Sequence, residues 1–367
     1  MSRARFSTHA ILALRSVLIS AAAIYLLFAA GCAVSASQMR TGTSLGSREI
    51  QRQSPFVRRA FNATLQGRWV GNAIAYGPHR DGQAPWGPHP TRAQIRQDLH
   101  LIVQHWNLIR MYGAVGNAET VLSVIRQDRL PIRVLLGVWL APEEKRDSSG
   151  TLIESFPVIA QANHTEIETA VRLANAYREL CVGISAGNET QVSWSDHRTP
   201  QALLIQAIRT LRARTRVPVT TADDYNFWNK PESHAVAHEV DFVFLHAHPL
   251  WNGITLEHAV GWTVGICEAI QLEHPGIAVI FGETGWATAR SNEGDQARLM
   301  RGAVGEAEQK VFHDAFVAWA RKTRTPTFLF EAFDENWKGG SHPDEVEKHW
   351  GLYHADRTPK LALTAER

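Results

Sequence analysis

Short apolar runs alternate with longer amphipathic stretches about eight times from Gly67 onward, and this repetition restricts the fold more than any other feature. A short apolar run fits a strand buried on both faces. A following amphipathic stretch fits a helix laid over it, and repeated strand-helix units make a parallel sheet. The candidate strands are 72–76, 108–112, 132–138, 182–186, 217–221, 242–246, 278–282 and 327–331, with helical stretches such as 91–105, 166–179, 200–214 and 306–322 between them. Eight such units predict a (β/α)8 TIM barrel in a single α/β domain.

Composition is compatible with this. The 367 residues are 44% hydrophobic and 20% charged, long enough for one large barrel. The first 31 residues read as an export signal. Arg3, Arg5 and Arg15 precede and enter an uncharged run from Ser16 to Ala30, too short for a comfortable span. Ala29-Ala30-Gly31-Cys32 resembles a bacterial lipobox, which implies lipidation of Cys32, a membrane anchor and a periplasmic location; a retained N-terminal anchor is the alternative. Residues 32–66, rich in Ser, Thr, Gly and Gln, are expected to be a tether, with the catalytic domain at 67–367. The formal charge is +2, and setting aside those three Arg leaves −1, so no nucleic-acid partner is implied. Cys181 and Cys267 lie in apolar contexts and are expected to be buried thiols, in a monomer without cofactor or metal.

In a parallel barrel the chemistry lies at the C-terminal ends of the strands. Those ends carry Tyr76, Arg110 with Tyr112, Trp139, Asn188 with Glu189, Asp223 with Asp224, His246 with His248, Glu283 with Trp286, and Glu331 with Asp334 and Glu335. Strands four and seven face each other across such a mouth, so Glu189 and Glu283 are expected to approach within about 5 Å, the spacing of retaining glycoside hydrolysis. One carboxyl must donate a proton to the leaving oxygen while the other attacks the anomeric carbon. Asn188 is placed to bond a sugar hydroxyl. The 12 Trp, many near strand ends, suggest sugar-stacking faces, Trp286 among them.

From about Gly67 to Lys360 the chain resembles glycoside hydrolase family 17, the β-1,3-glucanases and β-glucan transferases. Ala75-Tyr76-Gly77, Ile109-Arg110-Met111-Tyr112, Val134 to Val138, Gly187-Asn188-Glu189, Gly282-Glu283-Thr284-Gly285-Trp286, Phe333 to Lys338 and Glu347 to Leu352 carry the likeness. The resemblance implies a retaining glycosidase acting on β-1,3-glucan, with Glu189 as general acid/base and Glu283 as nucleophile. It places Glu335 and Lys338 beside the site, and Arg110, Tyr76 and Tyr112 behind Glu283 or against the sugar. Whether water or a sugar hydroxyl receives the glycosyl group stays open.

Two departures stand out. His248-Pro249 replaces the family's usual Tyr-Pro, and a titrating His there is expected to make activity fall in acid. Ala287 replaces a frequent Pro. Trp139, Trp194, Trp228 and Trp251 are expected at the loop mouths, shortening the cleft. Two other functions remain: a metal-dependent barrel hydrolase using His246 and His248 with Asp223 and Glu283, and a non-catalytic glucan-binding lipoprotein.

Overall fold

The computed structural model describes residues 50–364. The signal segment, Cys32 and most of the expected tether lie outside the described residues. Eight parallel strands close a barrel: β1 (Asn72–Ala75), β2 (Leu108–Arg110), β3 (Arg133–Val138), β4 (Cys181–Asn188), β5 (Val219–Asp224), β6 (Val243–His246), β7 (Val279–Thr284) and β8 (Thr327–Leu329). Closure is made by β8 against β1, with Phe328 opposite Ala73. β5 starts two residues later than its apolar run because Pro218 has no N–H to give to a ladder; its carbonyl accepts from Ile184 instead.

Around the barrel run α1 (Arg92–Ile102), α2 (Ala118–Asp128), α3 (Pro157–Ala176), α4 (Gln201–Arg214), α5 (Ser233–Ala237), α6 (Leu256–Glu273) and α7 (Glu306–Thr323). Their starts follow local chemistry. Thr91 and Gln94 form a reciprocal capping box on α1, and Pro157 opens α3 nine residues before the expected start, where its missing N–H costs nothing. α7 carries Glu306 and Glu308 in its first turn and Arg321 and Lys322 in its last, matching the helix dipole. Among the described residues no long helix follows β8; the turn Leu361–Leu363 packs on α7 in its place.

Strand alternation sorts side chains into two cores. Val134, Ile184, Val243, Leu245 and Phe281 point outward to the helices, whereas Ala73, Leu108, Leu135, Ala222, Phe244, Ile280 and Phe328 fill the barrel. The interior floor is plugged from below by Phe61, whose ring meets Phe242 at 5.1 Å and Phe328 at 6.4 Å. Arg59 is held there by Asp241, Val217 and Arg212. Of the expected tether, residues 50–66 lie along the barrel and are bonded to it, although most of them are exposed. Cys181 and Cys267 are free thiols, and burial pushes both up to about 12. No helix among the described residues is long and apolar enough to cross a membrane.

Candidate active site

Two irregularities in the sheet aim the central carboxylates into the mouth. Outward Phe281 pairs with Leu245, but Glu283 pairs with His246, so one residue of β7 is skipped between them. Simple alternation would turn Glu283 outward with Phe281; the bulge turns it inward. β4 does the same against β5 between Ser185 and Asn188, and the chain then passes through Gly187 at φ 74° and Glu189 at φ 49°. Glu189 occupies the left-handed region, which few side chains adopt without support. That support comes from the Glu189 N–H bonded to Ala222 O at 2.9 Å and the Gln191 N–H bonded to the Asp223 carboxylate at 2.8 Å.

Glu189, His246 and Glu283 each place one polar atom within 4.8 Å of the others. Glu283 is buried and gripped. Arg110 Nη1 donates to its Oε1 at 2.8 Å, Tyr112 OH donates to the same oxygen at 2.9 Å, and His248 Nε2 reaches Oε2 at 3.3 Å. Burial alone would raise this carboxyl, but the polar and positive groups facing it, His246, Arg110 and His248, hold it well below the ordinary carboxylate range. Arg110 is itself sandwiched, with its guanidinium 4.7 Å from the Tyr112 ring and 4.8 Å from Phe244, and donates at 2.5 Å to Asn188 Oδ1. The Asn188 oxygen expected to serve a sugar thus orients the guanidinium.

His246 joins the two acids. Its Nε2 lies 2.9 Å from Arg110 Nη1, which can only donate, so Nε2 accepts and Nδ1–H points to Glu189 Oε1 at 2.9 Å. The pattern of alternate histidines at 246 and 248 marks this residue in the sequence, but the metal set held as an alternative is not assembled among the described residues, where only Glu189, His246 and Glu283 converge. Asp223 turns to the Gln191 backbone, and the lone pairs of Glu283 and His246 already face the Arg110 guanidinium.

Toward β8, Glu335 is buried and Lys338 is half-buried beside it. Lys338 Nζ lies 2.6 Å from Glu331 and 2.9 Å from Glu335. Burial of Glu331 pushes its carboxyl well above the usual range, whereas Lys338 and His79 outweigh burial at Glu335 and hold it far below. Gly77 is required here, since a Cβ would fall on the Glu335 carboxylate. Trp251 Nε1 donates to Glu347 at 3.0 Å, and Trp139 lies 4.5 Å from the His197 ring, whose Nε2 donates to Asn188 O at 2.7 Å. The sequence did not single out His197 or His79, which sit in loops without a strand-end signal; Trp337 and Glu347 stand within the motifs that carry the resemblance but had no role of their own.

Three expectations are corrected. Tyr76 does not reach Glu283 or the mouth; it is buried in the outer layer, its OH donating to Asp98 at 3.2 Å. Trp286 is 1% exposed, packs on Phe312 and bonds Ala303 O, so it cannot face a sugar. Trp228 is likewise buried, with its Nε1 on Phe244 O. Trp194, 57% exposed, does stand at the surface.

A closed parallel barrel with two facing acids at the exits of β4 and β7, one gripped in its ionised form, defines the class of barrel glycosidases. The chain belongs to the BtgE/BtgC glycoside hydrolase domain family, which it matches over residues 73–351. That agrees with the resemblance to glycoside hydrolase family 17 carried by the motifs. It is 26% identical over 307 residues to a probable glucan endo-1,3-beta-glucosidase btgC of Aspergillus clavatus, across 76% of this chain but only 41% of the fungal protein. The barrel superimposes on an endo-laminarinase from Formosa Hel1_33_131 with a TM-score of 0.68 at 21% identity, covering 80% of this chain and 86% of that one. It also superimposes on the glycoside hydrolase family 17 β-1,3-glucanosyltransferase of Rhizomucor miehei, with a TM-score of 0.62 at 22% identity over 80% and 96% of the two chains.

Proposed function

We propose that the protein is a retaining glycosidase that acts on β-1,3-glucan through a covalent glycosyl-enzyme. The observation that carries this is the pair of carboxylates within 4.8 Å, of which Glu283 alone is held by Arg110, Tyr112 and His248. An acid kept ionised and aimed is suited to attack, and a less encumbered partner to carry a proton. Glu283 attacks the anomeric carbon as the glycosidic C–O bond breaks, and Glu189 gives its proton to the departing oxygen. Glu189 then takes a proton from the incoming hydroxyl, whose oxygen displaces Glu283 and restores the β configuration. His246, bonded to Glu189 and beside Glu283, keeps the two acids in register.

The β-1,3-glucan assignment is supported by the motifs, by the family, and by relatives whose names refer to glucan 1,3-beta-glucosidase. The same glycosyl-enzyme serves hydrolysis or transfer, according to whether water or a second glucan arrives. Placement outside the cytoplasm through a lipid on Cys32 belongs to the proposal as well, and rests on the leader sequence. The deciding experiment is chromatography of products from a defined laminari-oligosaccharide, with Glu283→Gln as control. Shorter products alone indicate hydrolysis and longer ones transfer; turnover by Glu283→Gln at the parent rate would remove Glu283 as nucleophile.

A further inference from the structure

A second group of polar atoms lies where β8 and β1 meet, diametrically across the barrel from β4. His79 is 8% exposed and presents Nδ1 to Glu335 Oε1 at 3.3 Å, while its Nε2 is buried without a partner among the described residues. Trp337 stands edge-on to His79 with ring centres 5.7 Å apart, and its Nε1 is also buried and unpartnered. Glu331 spends one oxygen on Lys338 and leaves Oε1 unpartnered. Over these lies Trp86, 44% exposed and perpendicular to Trp337 at 5.2 Å. Each unpartnered buried atom is destabilising unless a ligand or solvent satisfies it.

The chemistry selects the ligand. With Nδ1–H turned to Glu335, His79 Nε2 offers a lone pair and the neighbouring Trp337 Nε1 offers a proton. Hydroxyl groups, which donate and accept, answer both. The Glu335 carboxylate would repel an anion, and a plain apolar ligand would leave the polar atoms unsatisfied. Trp86 adds an exposed aromatic face of the kind on which a sugar ring stacks.

Position selects which sugar. On the reading given under Proposed function, the leaving group departs toward Glu189 on β4, so the retained part of the chain extends toward β8 and β1. There the loop of residues 77–90 carries both His79 and Trp86. Arg80 pins that loop to Asp98, Gln94 and Gln97 of α1, and Asp81 takes a bond from Asn336 at 2.6 Å. We propose that His79, Trp337 and Trp86 form a subsite for the non-reducing terminal glucosyl residue, so that the enzyme chooses its bond by counting from that end of the glucan.

The test maps first-cut positions in reducing-end-tagged laminariheptaose for the parent, Trp86→Ala and His79→Phe, with melting temperatures measured alongside. Trp86 is surface-exposed, so its removal leaves the fold intact, and His79→Phe keeps ring shape while deleting both ring nitrogens, Nε2 and the Nδ1 that meets Glu335. The parent is expected to cut at one fixed distance from the untagged end. Both variants are expected to scatter the cuts and to lose about tenfold in kcat/KM, in line with one lost hydrogen-bonded or stacked contact. Random or tagged-end-counted cuts by the parent, or an unchanged pattern in well-folded Trp86→Ala, would overturn the subsite while leaving the glycosidase standing. Failure of the parent to cut any β-1,3-glucan would remove both.

Discussion

Glu283 and Glu189 differ in what surrounds them, and the difference predicts different losses. Glu283→Gln is expected to lower kcat by at least about a thousandfold on every substrate, because no bond to the anomeric carbon can form. Glu189→Ala is expected to be equally impaired on glucan but to retain glycosylation of a β-glucosyl fluoride, whose leaving group needs no proton; single-turnover fluoride release checks it. His248 carries the third prediction, and its sign is opposite to the acid-side fall read from the sequence. Burial lowers the imidazole, but Glu283 and other acids outweigh it and raise it above the ordinary 6.5. A raised histidine contributes stability that is fully present below pH 6.5 and is lost as pH rises through its higher value in the fold. Glu283, depressed below the ordinary 4.5, contributes stability present above that value and lost as pH falls below it. Thermal melts and kcat/KM of His248→Phe should therefore show a shallower alkaline decline, and an acid limb moved to higher pH because Glu283 loses one of its cations. An unchanged alkaline limb would mean that His248 does not titrate there.

At the level of elements, the site depends on two strands that break step just before their acids. Gly187 is needed at φ 74°, and a Cβ there would stand 2.9 Å from Thr190 Cγ2. Gly187→Ala is expected to cost about 1–3 kcal/mol and, by displacing Glu189, to lower kcat more than it raises KM. Chemical denaturation with steady-state kinetics on the same samples separates the two effects. These breaks also mark what was legible in the sequence. Apolar runs located all eight strands, since a strand buried on both faces has to be apolar throughout. The acids were legible because Gly187-Asn188-Glu189 and Gly282-Glu283-Thr284 put a glycine and a carboxylate where a run ends. Which way a side chain points past a bulge is decided by pairing with the next strand, and no local pattern carries it. Trp286, three residues past Glu283, therefore looked like a wall of the cleft but packs behind it against Phe312. Tyr76 leaves β1 on the outer side by plain alternation with Ile74, to meet Asp98 on α1. His246 was visible as a strand-end histidine, but its role between two acids depends on contacts 57 and 37 residues away.

The whole molecule is held from both ends of the chain. Below the barrel, Phe61 closes a floor made by Phe242 and Phe328, and the arm carrying it is tied down through Arg59 to Asp241, with Arg212 donating to Val57 O at 3.0 Å. Beside β1, Arg357 from the last described turns reaches Asp98 at 3.0 Å, where Arg80 and Tyr76 also converge, so the C-terminal segment, α1 and the loop bearing Trp86 share one buried charge. These ties lie at opposite faces of the barrel, and only the second adjoins the mouth. A chain starting at residue 67 loses Phe61 and its plug, and the exposed floor should cost about 3–5 kcal/mol, the range for deleting a buried aromatic, with a melting temperature lowered by roughly 10 °C. Because the carboxylates sit at the far end of the strands, kcat at low temperature should change little. Asp98→Ala should be comparably destabilising, since it strands Arg357 in the interior and takes the ion-pair partner from half-buried Arg80, but it should also free the Trp86 loop and spread the cut positions on a tagged oligosaccharide. Comparing the two at matched melting temperature separates a general loosening of the barrel from a specific loss of the wall at β1, because only the second moves the cuts.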